Sequence, residues 1–595
     1  TTGTMTNAGD AGSVSLIANN LNLTGGAQVV SSTEGTGLGG SVTVNSPTSV
    51  SISGTGSAPS GLFSTASGSR NAGEISVTTP TLAMSSGGTI SVATSGAGNA
   101  GNIALNVTNF NQSSGARVDS STSGSGDGGD LTLTATNSAN ISGSGSGLFS
   151  TASSTGDAGQ ITVSAPSLAP VPTLTIADGA KITVATSGAG NAGSVSLNAN
   201  TLNLTGGAQV ISSTNGAGQG GSVAIAATDS MSISGSGGGL FSTASSTGNA
   251  GQINVTTPTL TMGEGGTISV ATSGAGNAGN IALNVNSFTQ TSGARVDSST
   301  ASGGRGGDLT VTAANSATIS GAGSGLFSTA SGTGAGGNIT LQAKNIQLNS
   351  GGTISANSTG TATASAGDIN VIFGDRLSMV NGSITTAANL ADGGNISITA
   401  TGSTLLMTDS QVITSVASGV GKGGNITIGS TSHPFDFIIL KDSQIRADAF
   451  GGPGGNVNIK SDVYLKSNSV VSASSQLSTP GTIAIEATFT DVSGSVAQLP
   501  ETPLKATDLL RASCAARFAG GKLSSLVLSG RDGLPIQPGG LSPSPLYLAS
   551  DVSAPTAGVG SSVQGLNPRY SLLGSGSKNR LLTQYSLLPN AKCAF

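Results

Sequence analysis

A glycine pair running into alternating β-branched residues, as in Gly39-Gly40-Ser41-Val42-Thr43-Val44, returns along nearly the whole chain and restricts its fold more than any other feature. With the second glycine as marker, it falls at Gly12, Gly40, Gly73, Gly101, Gly129, Gly159, Gly193, Gly221, Gly251, Gly279, Gly307, Gly337, Gly367, Gly394, Gly424, Gly455 and, weakly, Gly481. Successive markers lie 26 to 34 residues apart, most often 28 or 30. Such a period marks a solenoid, whose units bury an apolar face only by stacking on their neighbours.

Inside the first unit, alternation occurs in three short segments: Val14 and Leu16, Leu21 and Leu23, then Ala27 and Val29. The next unit repeats it with Val42 and Val44, Val50 and Ile52, then Leu62. Alternate residues of a strand share one face, so these point inward and Ser13, Ser15, Asn22, Thr24 and Gln28 outward. A coil of 28 residues at ~3.3 Å each has a perimeter of about 90 Å, enough for a three-sided tube. Glycine pairs cost about 1 kcal/mol each relative to Ala in a helix interior. Val, Ile and Thr at period 2 favour a pleated surface instead. The expected fold is therefore all-β: a parallel β-helix, a three-sided solenoid of about 28–30 residues per coil. Seventeen coils ~4.8 Å apart would extend about 80 Å.

The third strand is the most constant part, as in Gly115-Ala116-Arg117-Val118, Gly207-Ala208-Gln209-Val210 and Gly293-Ala294-Arg295-Val296. A variant, Gly61-Leu62-Phe63-Ser64-Thr65-Ala66, returns around Phe149, Phe241 and Phe327, one phenylalanine per third coil, and these rings are expected to fill the core. Segments also recur 178 residues apart, Ile90 to Val107 against Ile268 to Val285, which indicates a larger internal duplication. From Gly394 the units grow less alike, as the last coils of a solenoid must. Two domains are expected: 1–499, the repeats, and 500–595, a small non-repeat module serving as a cap or an independent unit. In the latter, Thr507-Asp508 caps a short helix through Phe518, stopped by Gly520-Gly521, and a proline-rich stretch follows.

Charged residues make up only 8% of the chain, with a net charge of −5, so there is no basic footprint for a nucleic acid backbone. No apolar run approaches the ~18 residues of a membrane span. The chain begins almost inside a repeat without a basic, apolar leader, so the targeting segment is expected upstream. The two cysteines, Cys514 and Cys593, leave room for one C-terminal disulfide and for no CxxC metal site.

Several stretches match GxGxxG, among them Gly96-Gly98-Gly101 and Gly274-Gly276-Gly279. Here the motif opens a strand and repeats, so it reads as a turn in which glycine supplies positive φ, not as a dinucleotide loop. The stretch Gly303 to Asp308 resembles a calcium nonapeptide but lacks tandem copies, and Asp127, Asp130 and Asp308 read as solvated turn residues. Arg117 and Arg295, each next but one to Asp119 and Asp297, read as outward surface ion pairs. The single histidine, His433, has no second His or Cys near it in sequence. Asn102, Asn280, Asn338, Asn395 and Asn425 occupy matching positions and are expected to form hydrogen-bonded ladders. No catalytic residue, cofactor or metal ligand emerges.

After Cys514 comes Ser524-Ser525-Leu526-Val527-Leu528-Ser529-Gly530-Arg531-Asp532-Gly533-Leu534-Pro535, then Pro538-Gly539-Gly540-Leu541. This string resembles the C-terminal segment of filamentous haemagglutinin-like exoproteins, the secreted partner of two-partner secretion systems. The repeats Gly393-Gly394-Asn395-Ile396 and Gly423-Gly424-Asn425-Ile426 resemble that family's coils. The family usually shows Gly-Arg-Gly-Gly-Leu-Pro, where this chain has Asp532, and the family's N-terminal secretion module with its NPNG-type motifs is absent here. The resemblance implies a right-handed β-helix, export through an outer-membrane barrel transporter, and a secreted, cell-surface adhesin or filament contacting glycans or proteins of other cells. A passive surface-layer component and a polysaccharide-active enzyme on the same fold are the alternatives.

Overall fold

The computed structural model describes residues 9–54, 58–360, 364–400, 403–430 and 432–490. The boundary at 499/500, the short helix, Cys514, Cys593 and the motif Gly530, Arg531, Asp532, Gly533, Leu534, Pro535 lie outside the described residues.

The repeat region is a parallel β-helix of two sheets, one of 22 strands and one of 16. Sixteen coils form, one in each interval between the seventeen marker glycines. One coil shows the construction. Ile75–Ser85 runs in the first sheet, Ser86, Gly87 and Gly88 turn the corner, Thr89–Thr94 runs in the second sheet, and Ser95 to Asn102 lead into the next coil at Ile103. Between the first and last described coils, each strand pairs in parallel with its counterparts one coil above and below, as Ile75 with Val42 and Ile103. Backbone groups along the paired registers are thereby used within the stack.

The three apolar segments per coil exist, but the first two are usually one bent strand. In Ile75–Ser85 the inward set is Ile75, Val77 and Thr79, then Leu82 and Met84, so the phase shifts by one residue at the bend. The shift also explains the two common coil lengths. Between neighbouring coils, Leu131 pairs with Ile103 (28 apart), Ser138 with Asn109 (29 apart), and Gly147 with Arg117 (30 apart). One residue is therefore added at the bend as a bulge and one at the corner. The longest interval, Gly159 to Gly193, holds an extra loop with the 3-10 turn Pro166–Leu168.

Inward Val, Ile and Leu side chains from every coil form one continuous core, most of them fully buried. Phe110, Phe288 and Phe435 lie inside it. The phenylalanines assigned to the core from sequence do not. In each Gly-Leu-Phe-Ser-Thr-Ala strand the leucine takes the inward phase (Leu62, Leu148, Leu240 and Leu326, all 0% exposed), which turns Phe63, Phe149, Phe241 and Phe327 outward. Two adjacent apolar residues cannot both face the core, and the leucine continues the column set by Val118 and Ile90.

The marker glycines have a reason other than positive φ. None of Gly96, Gly98 and Gly101 has positive φ. A Cβ on them would overlap the backbone carbonyls of Gly68, Arg70 and Gly73 in the preceding coil, and the same overlap recurs at Gly129, Gly193, Gly221 and onward. This turn packs backbone directly on backbone. Buried hydroxyls fix it: Ser150 donates to the Gly129 carbonyl at 2.9 Å and accepts the Gly159 N–H at 2.9 Å. Positive φ appears instead at the corner between the sheets, in pairs such as Ser114 (52°) and Gly115 (79°).

Candidate functional site

Among the described residues the interior is given over to packing, so their chemistry resides in the outer surfaces. Three surfaces recur coil by coil: the return turn, the outer face of the second sheet, and the outer face of the first sheet beside its bend.

Flanking the glycine stack, two side-chain ladders climb the return turn. In one, the Asn102 side-chain oxygen accepts the Asp130 N–H at 2.9 Å, and Asp130 accepts the Gln160 N–H at 2.8 Å. It resumes at Asn280, whose oxygen accepts from Asp308 (2.9 Å), and continues through Asn338, Asp368, Asn395 and Asn425 to Asn456. Three residues earlier, Asn71, Asn99 and Asp127 begin a second ladder that continues through Asp157, Asn191, Gln219, Asn249 and Asn277 to the Arg305 N–H. The asparagine ladder expected from sequence is present, Asp130 and Asp308 belong to it, and Asp127 belongs to the second. Sequence reasoning missed them because Asp and Asn offer the same acceptor oxygen to a backbone N–H.

On the second sheet, Phe63, Phe149, Phe241 and Phe327 lie in one register column with Ser91, Asp119, Thr183, Ile211, Ser269 and Asp297 between them. The glycine two residues before each phenylalanine is on the same face, and a Cβ on Gly147 or Gly325 would press on the ring. The missing side chain lets the phenyl lie flat. Arg117 crosses from the preceding coil to place its guanidinium 3.8 Å from the Phe149 ring centre, and Arg295 does the same over Phe327. Each arginine also pairs with its aspartate, Arg117 with Asp119 at 3.0 Å and Arg295 with Asp297 at 3.3 Å. Ser121 and Ser299 donate to those carboxylates. The surface ion pairs read from sequence are therefore parts of a cation–π cluster repeated 178 residues apart.

Arg446 and Asp448 repeat the pairing without the ring, 2.7 Å apart. Burial alone would raise the Asp448 pKa, but hydrogen bonds from the Ser474 hydroxyl and N–H, from Arg446 and from the Ser472 hydroxyl outweigh it and hold the carboxyl below the usual aspartate range.

The first sheet carries an extended concavity, and a second hollow of about 450 Å³ lies on the return turn between Arg305 and Asn425. Immediately before the bend, Asn198, Ala226, Thr256, Asn284, Thr312, Gln342, Ile372 and Thr399 stand in one register file, all pointing outward. Three hollows of about 310, 510 and 650 Å³ lie along this file and share lining residues, the first two Ala226 and Thr256, the last two Thr312 and Ala314. They form a single trough. The loop bearing Leu168, which is 70% exposed, bounds one end. Lys344 and His433 line the other, where Lys344 pairs with Asp375 at 3.4 Å. His433 Nδ1 lies 3.1 Å from the Ser432 hydroxyl, so a neighbouring serine is its partner here. Nothing in the local sequence marks the trough, because it depends on the bend.

Among the described residues no three His, Cys, Asp or Glu side chains are gathered closely enough to hold a metal ion. No helix among them is long and apolar enough to cross a membrane. Comparison with protein-family models, with curated proteins and with solved structures returned no match to this chain.

Proposed function

We propose that this chain is the shaft of a secreted cell-surface adhesin or filament, exported through an outer-membrane barrel transporter and acting through broad repetitive contact, without catalysis. The observation that carries the reading is the uninterrupted stack of sixteen coils with a surface of hydroxyl and amide side chains. A stiff repeat presents the same weak contact many times, and linked weak contacts yield avidity without a deep pocket. Four carboxylates are engaged in structure: Asp130 and Asp308 accept backbone N–H groups of the next coil, and Asp119 and Asp297 are held by arginine and serine. The resemblance of the Gly530 to Pro535 string to filamentous haemagglutinin-like exoproteins supports the export route.

Deleting residues 103–280 and, separately, the whole repeat region from the producing cell tests the reading. Attachment to surfaces or to other cells is expected to fall with each deletion while the shortened protein still reaches the medium or the cell surface. Attachment equal to that of the parent strain would reject an adhesive role and leave a passive coat.

A further inference from the structure

We infer that the trough on the first sheet is a binding site for one extended strand of uncharged polysaccharide, lying along the stack across successive coils. This rests on the adhesive reading above and names the ligand class for it.

Shape comes first. The file from Asn198 to Thr399 crosses eight coils, and at ~4.8 Å per coil it is about 34 Å long, a length suited to a polymer and far beyond one small molecule. Its floor is shallow because the side chains are short, with Ala226, Thr256 and Thr312 among them.

The chemistry of the lining then selects the polymer. Asn284 and Gln342 offer amides, each both donor and acceptor, Asn198 offers its amide oxygen while its nitrogen donates to the Leu168 carbonyl, and the threonines offer hydroxyls, which together match a ligand carrying many hydroxyl groups. Ala226 and Ile372 supply apolar floor for the C–H faces of sugar rings. The hollows around Asn198 and Asn284 have no charged residue in their lining, so a polyanion or polycation gains nothing there. An extended peptide is disfavoured for a separate reason. Every strand that forms the floor is paired on both sides, so no strand edge is open for strand addition.

Electrophoresis of the purified full chain through gels containing a neutral glucan, mannan or galactan, with alginate as the anionic comparison, tests the assignment. At least one neutral polymer is expected to retard the protein more than alginate does. The double variant Ala226→Arg with Thr312→Arg, which fills the trough from its exposed side, is expected to weaken that binding at least tenfold with an unchanged melting temperature. Asn198→Ala with Asn284→Ala and Gln342→Ala should weaken it as well, and Thr183→Arg on the second sheet should not. The assignment is overturned by the absence of retardation in every neutral polymer, by retardation that survives the trough variants, or by stronger retardation in alginate. Failure of the two readings is separable: trough variants that lose polysaccharide binding yet attach normally leave the adhesin without this ligand, whereas polysaccharide binding by a protein whose deletion leaves attachment intact rejects the adhesin alone.

Discussion

The coils between Gly101 and Gly279 and those beyond Gly394 belong to the same helix but turn its corner differently. In the earlier coils the corner is a pair of positive-φ residues, such as Ser114-Gly115 and, one duplication later, Ser292-Gly293. In the later ones a single residue takes positive φ, Asp409, Asp442 or Asn468, and a buried serine follows. Those serines relay from coil to coil: Ser443 donates to the Lys441 carbonyl at 2.7 Å and accepts the Ser410 N–H at 3.2 Å, while Ser469 accepts the Ser443 N–H at 3.0 Å. The later coils also bury Tyr464, and a ring pair, Phe373 with Phe435, lies 5.4 Å apart just where regularity fades. What both regions keep is the glycine stack and the amide ladder. The corner and the core tolerate alternative solutions, whereas the return turn, where backbone rests on backbone, does not.

The largest effect should therefore be common to both regions. Gly193→Ala and Gly424→Ala each drive a Cβ into the glycine carbonyl of the preceding coil, Gly159 or Gly394, and each is expected to cost about 3 kcal/mol, the upper part of the overpacking range. Denaturant midpoints followed by circular dichroism measure this, and a mild Gly424→Ala would break the comparison. At the corner the regions should separate. Ser443→Ala leaves the Ser410 N–H buried without its acceptor and should cost ~2 kcal/mol. Gly115→Ala, whose Cβ meets only open surroundings but must hold a φ of 79°, should cost about 1 kcal/mol.

Smaller again is the ladder. Asn280→Ala and Asn395→Ala expose one backbone N–H each to water, and a loss of about 0.5–1 kcal/mol is expected. Asn280→Asp, which keeps the acceptor, should stay near the parent value. The smallest effect belongs to the later coils alone. The folded-state pKa of Asp448 is depressed, so its stabilisation is fully present above the ordinary aspartate pKa, about 3.9, and is lost as pH falls through the lower folded value. Protection against hydrogen exchange near Ser472 and Ser474, relative to the intrinsic rate at each pH, should fall below about pH 4 in the parent and show no such acid dependence in Asp448→Asn.

Period and phase made the coil legible in advance: the marker glycines, the three apolar segments and the asparagine column all lie where alternation and spacing place them. The outward turn of Phe149 was not legible, because Leu148 and Phe149 are both apolar and only the register with Val118 and Ile90 decides which faces in. Nor could the glycines declare whether they served torsion or close approach, since both demand the same residue. The trough is a third case. It arises where a bulge shifts the phase between Ala226 and Ser230 or between Ala313 and Ser316, and no single coil contains it.

The 178-residue duplication has a consequence for the growth of such a molecule. Gly101-Asn102-Ile103 and Gly279-Asn280-Ile281 are the same junction, so excising residues 103–280 joins two surfaces that already fit, and inserting another copy does likewise. Reach can then be lengthened or shortened by whole blocks of six turns with no new interface to invent, which makes size a heritable variable largely independent of foldability.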